Sequence, residues 1–270
     1  MRLYFSGIAG SAEASWLHAA GVTDVLVDPY DLAWVGGFPN VALDSGAYRK
    51  FAHAQAAAAG KKTKGAPRWL SEAEWLHLAT SGQFAFAIQD DVIGDPVATA
   101  ANWERRAGLP GLVPVWGWGE DLGRLAQLYR ENTLVAVGGL AKRMHDRDED
   151  MLRELEGVAT LYGDRLHILG INWPKAIVRL RGLVASGDTS KFLDGGRYGH
   201  LIFEVRGRDG RGTGRLSAAP ARIVAASLGL DPDTLDRGAR NTWCARALAA
   251  FCAHQPSPYP ADQREREVGV

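Results

Sequence analysis

The sequence predicts an α/β protein built as a (β/α)8 barrel, and three observations carry that expectation. Eight short β-rich runs recur between residues 3 and 185, most of them separated by stretches of helical character. That rhythm marks parallel strands joined by crossover helices. Each run closes in or near Gly, Asp or Asn, and the 270 residues suit a single barrel. Eight is the strand count that closes one. An open doubly wound sheet is the competing arrangement.

The β-rich runs are residues 3–5, 24–27, 41–43, 84–88, 112–115, 134–137, 167–169 and 183–185. A helix over 12–20 follows Ser11, a residue type that caps helix N-termini. A helix over 71–80 opens on Ser71-Glu72-Ala73-Glu74, the capping-box pattern. Helices over 121–131, 148–161 and 174–180 follow the same logic. Two stretches interrupt the rhythm. Residues 55–68 are rich in Ala, Gly and Lys and read as a mobile loop. Residues 206–215 are Gly/Arg-rich and read as a hairpin or loop after an extra strand over 201–205. Residues 221–228 and 242–254 have helical character. The expected organisation is one barrel domain over 1–254 with a C-terminal helical extension, then a polar tail over 255–270.

Thirty-one Lys and Arg balance 31 Asp and Glu, which argues against a uniformly basic nucleic-acid binder and leaves the question to local patches. Two cysteines, Cys244 and Cys252, are too few for a disulfide framework and point to a cytoplasmic protein. Gly7 breaks the N-terminal apolar run too early for a signal peptide. No apolar run approaches the roughly 18 residues needed to span a membrane.

Barrel enzymes carry their chemistry at the C-terminal ends of the strands. Asp44-Ser45-Gly46 closes the third run, Gln89-Asp90-Asp91 the fourth and Trp116-Gly117-Trp118-Gly119 the fifth. Gly138-Gly139-Leu140 closes the sixth, Gly170-Ile171-Asn172 the seventh and Gly187-Asp188-Thr189 the eighth. Carboxylates from runs three, four and eight therefore converge on one mouth. No Lys stands where a Schiff base would form, and no His or Cys cluster stands there for a metal. An acidic, glycine-rich, aromatic mouth suits chemistry at a sugar carbon. One carboxylate attacks the anomeric carbon, a second handles the proton of the leaving group, and a third can bond a base edge. An aromatic ring can stack on the base.

These residues resemble a known family. Leu43-Asp44-Ser45-Gly46-Ala47-Tyr48 is similar to the Asp-Ser-Gly-Gly-aromatic motif of tRNA-guanine transglycosylases. Ala136-Val137-Gly138-Gly139-Leu140-Ala141 resembles their Gly-Gly-Leu-Ala loop, and the segment from His167 to Pro174 resembles their Leu-x-Gly-(Val/Ile)-Gly-x-Pro segment. The three stand in family order, with Asp188 following. The resemblance implies roles. Asp188 is the nucleophile and Asp44 the acid/base. Tyr48 stacks on the purine. Asp91, with Asp90 as fallback, recognises the base. Gly138, Gly139 and Leu140 offer their backbone to it, and Ser45 and Trp116 are further candidate base contacts.

Two departures refine the resemblance. Cys244, Cys252 and His254 lack the spacing of the family's zinc site, so no structural zinc is expected. Trp116-Gly117-Trp118-Gly119 stands where the family has Gln-Gly-Gly. Both departures, together with the segments from Asp91 to Pro96 and from Gly187 to Ser190, resemble the bacterial and phage branch that exchanges guanine in DNA for a 7-deazaguanine such as preQ0. The implied partners are DNA and that base, with tRNA as the alternative polymer, and no cofactor is required. Lys61, Lys62, Lys64, Arg206, Arg208, Arg211 and Arg215 are the expected phosphate contacts. Three rivals remain open on the sequence: a tRNA transglycosylase, a nucleoside or glycoside hydrolase using the same carboxylates, and a non-catalytic nucleic-acid-binding protein.

Overall fold

A computed structural model describes residues 1–61, 68–206 and 212–253 of the chain. The elements run β1 (Arg2–Phe5), α1 (Ser11–Ala19), β2 (Asp24–Val27), β3 (Asn40–Leu43), α2 (Ala47–Ala58), α3 (Glu72–Ala79), β4 (Ala87–Ile88) and α4 (Pro96–Glu104). Next come β5 (Leu112–Val113), β6 (Val115–Gly117), α5 (Leu122–Glu131), β7 (Val135–Gly138), α6 (Ala141–Asp146) and α7 (Glu149–Tyr162). The chain continues through β8 (Leu166–Ile168), α8 (Pro174–Leu180), β9 (Ser186–Thr189), α9 (Asp194–Tyr198), β10 (His200–Arg206), β11 (Gly212–Pro220), α10 (Ala221–Ser227) and α11 (Arg237–Ala253).

Nine parallel strands form one nearly closed barrel in the order β5-β4-β3-β2-β1-β9-β8-β7-β6. The two ends of that order are consecutive in the chain and separated only by Pro114. Before the proline the chain pairs with β4, Ile88 opposite Val113; after it the chain pairs with β7, Val115 opposite Ala136. Proline has no N–H to give a ladder, so one expected strand becomes two. The alternation of side chains sorts the core into two layers. Tyr4, Leu26, Ala42, Ile88, Val113, Val115 and Ala136 fill the barrel interior. Their neighbours Phe5, Val25, Leu43, Ala87, Leu112 and Val137 face outward into a larger layer shared with the helices.

Two sequence expectations are corrected. The eighth strand is Ser186–Thr189, not 183–185. The Leu183 N–H closes a turn on the Leu180 carbonyl, and the ladder with β1 starts at Ser186 opposite Arg2. Residues 55–58 belong to α2 rather than to a loop. Alanine has the highest helix propensity, and four of the last six residues of that helix are Ala. The capping box on α3 is present in full, with the Ser71 side chain accepting from Glu74 and the Glu74 side chain from Ser71.

The strand expected over 201–205 exists as β10, paired antiparallel with β11 outside the barrel. Glu204 accepts from the Gly214 N–H at 3.3 Å, and a methyl on Gly214 would stand 3.2 Å from the Arg181 guanidinium. Arg181 follows α8, and its carbonyl accepts from the Met1 amine at the start of β1. This end of the hairpin therefore lies where the barrel strands begin, opposite their C-terminal mouth. The polar tail expected over 255–270 lies outside the described residues. Among the described residues, no helix is long and apolar enough to cross a membrane.

Candidate active site

Asp188 is the third residue of β9 and points into the upper barrel. It is 5% exposed, and its Oδ1 accepts the Gly170 N–H at 2.8 Å. The Asp188 carbonyl accepts the Ile171 N–H at 2.7 Å, so the loop after β8 is tied to β9 at two points. Directly beneath lies His167, fully buried in the barrel. Its Nδ1 stands 2.8 Å from the Ser186 hydroxyl, and its Nε2 stands 3.7 Å from Asp188 Oδ1. That Nε2 has no hydrogen-bond partner, and the rings of Tyr4 and Phe86 meet His167 edge-on. When Ser186 donates to Nδ1, the Nε2 proton faces the carboxylate of Asp188.

Asp44 follows β3, with its N–H still in the ladder to the Val27 carbonyl at 2.8 Å. Its Oδ1 accepts the Ser45 N–H at 2.8 Å. Burial, then the charges of Asp188, Asp91 and Asp28, push its carboxyl up to about 8, against the single opposing Ser45 N–H. Asp44 therefore holds a proton at neutral pH. The turn out of β3 uses Gly46 in the left-handed region at φ 72°, where Pro29 packs close enough to crowd any side chain.

Ser45 is 2% exposed and donates its hydroxyl to Asp91 Oδ1 at 2.9 Å. Burial raises the Asp91 carboxyl above the ordinary aspartate range, with the Ser45 hydroxyl opposing. A methyl on Gly138 would lie 3.9 Å from Asp91 Oδ2, so Asp91 faces the backbone at the end of β7. That methyl would also stand 2.9 Å from the Val115 side chain, which only glycine avoids. Gly139 has φ 79° and lies against the Trp118 backbone, while the Leu140 side chain is buried in the outer layer.

Asp90 points elsewhere. It lines an outer cavity with Lys50, Trp75 and Arg106, and its carbonyl accepts from Asn102 at 3.0 Å. Strict alternation from Ile88 would aim Asp90 inward. Gln89 anchors its amide on the Thr99 carbonyl of α4 at 2.8 Å, and past that anchor Asp91 is the residue that faces inward.

Trp116 is corrected as a base contact. It is 2% exposed and packs in the layer between barrel and helices, where its Nε1 donates to the Asp121 carbonyl at 3.2 Å. Position 116 is one residue out of phase with the inward-facing Val115, and this is the physical reason. Tyr48 stands in the first turn of α2 with 62% of its surface exposed.

Of the basic candidates, Lys61 is exposed and Arg215 is exposed on β11. Arg206 and Arg215 belong to the hairpin whose described turn end lies where the barrel strands begin, away from the mouth. Lys62, Lys64, Arg208 and Arg211 lie outside the described residues, as does His254. Cys244 and Cys252 are buried thiols pushed up to about 11 by burial. Cys244 stands 3.4 Å from the Ile202 N–H and 3.6 Å from the His200 carbonyl, joining α11 to β10. Among the described residues, no group of three or more His, Cys, Asp and Glu is arranged to hold a metal ion.

Two residues of the site were missed by sequence reasoning. Asp28 closes β2, accepts the Tyr30 N–H at 3.0 Å and pairs with Arg49 at 3.0 Å. Its signal was present, because it is an Asp at a strand end like the others. His167 opens the seventh β-rich run, and its position in phase with Leu169 marks it as inward-facing.

Fold and site together define an α/β barrel with an acidic mouth in which one aspartate is held protonated beside another. No protein-family model and no curated protein matches the chain.

Proposed function

We propose that the protein is a base-exchange glycosyltransferase that replaces guanine in a nucleic acid, DNA in the first instance, with a 7-deazaguanine. The observation that carries this reading is the unequal pair at the mouth. Asp188 is oriented by the Gly170 N–H, while Asp44 keeps its proton up to about 8. A nucleophile and an acid side by side is what cleavage of a glycosidic bond requires.

In this reading the target nucleoside leaves its stack and enters the mouth. Asp188 attacks C1′, the bond to guanine breaks, and Asp44 gives its proton to the departing base. Esterification of Asp188 then removes the largest of the charges that raise the Asp44 carboxyl. The Asp44 carboxyl then moves down from its raised value, although burial, the largest cause, still holds it up, and the shift helps it ionise before the incoming base needs to lose a proton. The incoming N9 attacks C1′, Asp44 takes the proton, and Asp188 is released. The two half-reactions thus retune the same acid in opposite directions. Asp91, held by Ser45 and facing Gly138, is placed to accept from the polar edge of the base, and the exposed Tyr48 ring can close over its face.

The test is exchange of labelled guanine, or of preQ0, into DNA and separately into tRNA. DNA labelling that disappears in Asp188→Asn supports the reading. Labelling of tRNA alone moves the substrate to the other polymer. Release of free base with no incoming base makes the protein a hydrolase and overturns the exchange chemistry.

A further inference from the structure

A second candidate site lies outside the barrel, beside the end of β4. A cavity of about 170 Å³ opens between α2, α3 and α4. Arg106 lies at its wall with a side chain only 4% exposed. Its Nε and Nη2 donate to Glu72 at 3.2 and 2.6 Å and its guanidinium stands 5.7 Å from the centre of the Trp75 ring, but its Nη1 is buried with no hydrogen-bond partner. The Trp75 ring lines the same cavity, and its buried Nε1 also has no partner. Two residues that line the cavity thus each carry a buried donor with no hydrogen-bond partner, and a buried N–H without an acceptor costs free energy. The volume far exceeds what one water needs. The remaining polar lining comes from Lys50, Ser71, Asn102 and Arg105.

Charge narrows the class of ligand. Three cations, Lys50, Arg105 and Arg106, face two carboxylates, Glu72 and Asp90, leaving one positive charge uncompensated. An oxygen-rich acceptor with one negative charge would complement that lining. A phosphodiester carries one such charge and presents two free oxygens to donors. Asp90 and Asp91 are chain neighbours that face this cavity and the mouth respectively.

We propose that this cavity is a seat for a phosphate group, and that its occupant is a phosphodiester of the polynucleotide substrate. This rests on the base-exchange reading for the identity of the polymer, though not for the seat itself. The seat supplies a described basic contact on the strand-end side, which the hairpin arginines do not.

The probe is inorganic phosphate, titrated against the full chain at constant ionic strength with chloride as the control, read by thermal unfolding and calorimetry. A saturable phosphate response is expected, weakened at least about tenfold in Trp75→Phe, which keeps an aromatic ring and loses the donor. Lys50→Gln, a half-buried position, should weaken it similarly without disturbing the fold. A short single-stranded oligonucleotide lacking terminal phosphates should displace the phosphate. In exchange assays Lys50→Gln should raise KM for the polynucleotide several-fold and leave kcat within about twofold. Absence of a saturable response in the wild type means the cavity holds only water and overturns the proposal. Phosphate binding that the oligonucleotide does not compete overturns the phosphodiester and leaves a free-anion site. Exchange activity without phosphate binding sinks the seat alone, whereas phosphate and oligonucleotide binding without any exchange sinks the transglycosylase reading alone.

Discussion

Replacing Asp44 with Asn should make the protein more stable at neutral pH while removing the proposed exchange. An unfolded aspartate releases its proton near the ordinary 3.8, whereas folded Asp44 keeps it to about 8. Between those values the folded state binds more protons than the unfolded chain. Stability contributed by this group is fully present below pH 3.8 and is lost as pH rises toward 8, by about 1.4 kcal/mol per unit. At pH 7 the ceiling of that loss is about 4 kcal/mol. Asp44 keeps partial contact with solvent, which lowers that ceiling, so a gain of about 2 to 3 kcal/mol is expected for Asp44→Asn. The gain should be near zero at pH 4, grow through pH 7 and level off above pH 8. Urea unfolding of both proteins at four pH values measures it. A variant less stable than wild type at pH 7, or a difference that does not change with pH, refutes the protonated-acid assignment.

Further outcomes follow from the same geometry. Asp188→Asn should lower the proposed exchange by about a thousandfold or more without lowering the unfolding midpoint, as expected of the nucleophile in that reaction; activity within a few-fold of wild type ends that assignment. Wild-type kcat/KM should fall as pH passes about 8, where free Asp44 loses its proton, and a profile flat to pH 9.5 would contradict it. Trp116→Phe should cost about 1 to 2 kcal/mol through the lost bond to Asp121 yet leave base affinity unchanged; a tenfold weaker base complex would return the ring to the site. Gly163→Ala puts a methyl 1.8 Å from the Leu183 carbonyl oxygen and should destabilise by about 3 kcal/mol, read as a lower urea midpoint.

The parts of the barrel that were legible in sequence are those where apolar runs alternate cleanly. β2, with Val25 and Val27 outward and Leu26 inward, is one. The strand carrying Asp188 was misplaced by three residues because Ser-Gly-Asp-Thr has no apolar signature. Its inward positions, Ser186 and Asp188, face His167 and the mouth rather than the apolar floor, so the polar contacts there erase the pattern that periodicity reads. Asp44 was legible because a hydrophobic strand ends directly before it. The division of labour between Asp90 and Asp91 was not, since it depends on the Gln89 anchor to α4. Trp116 was misjudged by looking at residue type rather than phase, one step from the inward Val115. The direction of the arginine hairpin depends on long-range contacts with Arg181 and Met1, which no local pattern encodes.

Pro114 has a mechanical consequence. Around the ring, each strand is clasped to its neighbours through hydrogen bonds, except that between β5 and β6 the hoop passes through a single prolyl residue. Its carbonyl still accepts from Ala136 at 2.8 Å, but it has no hydrogen to return. The hoop therefore closes there through covalent bonds rather than through a ladder. Thermal breathing should begin there, so that amides of β6 and β7 exchange with solvent before those of β1 and β9 on the far arc.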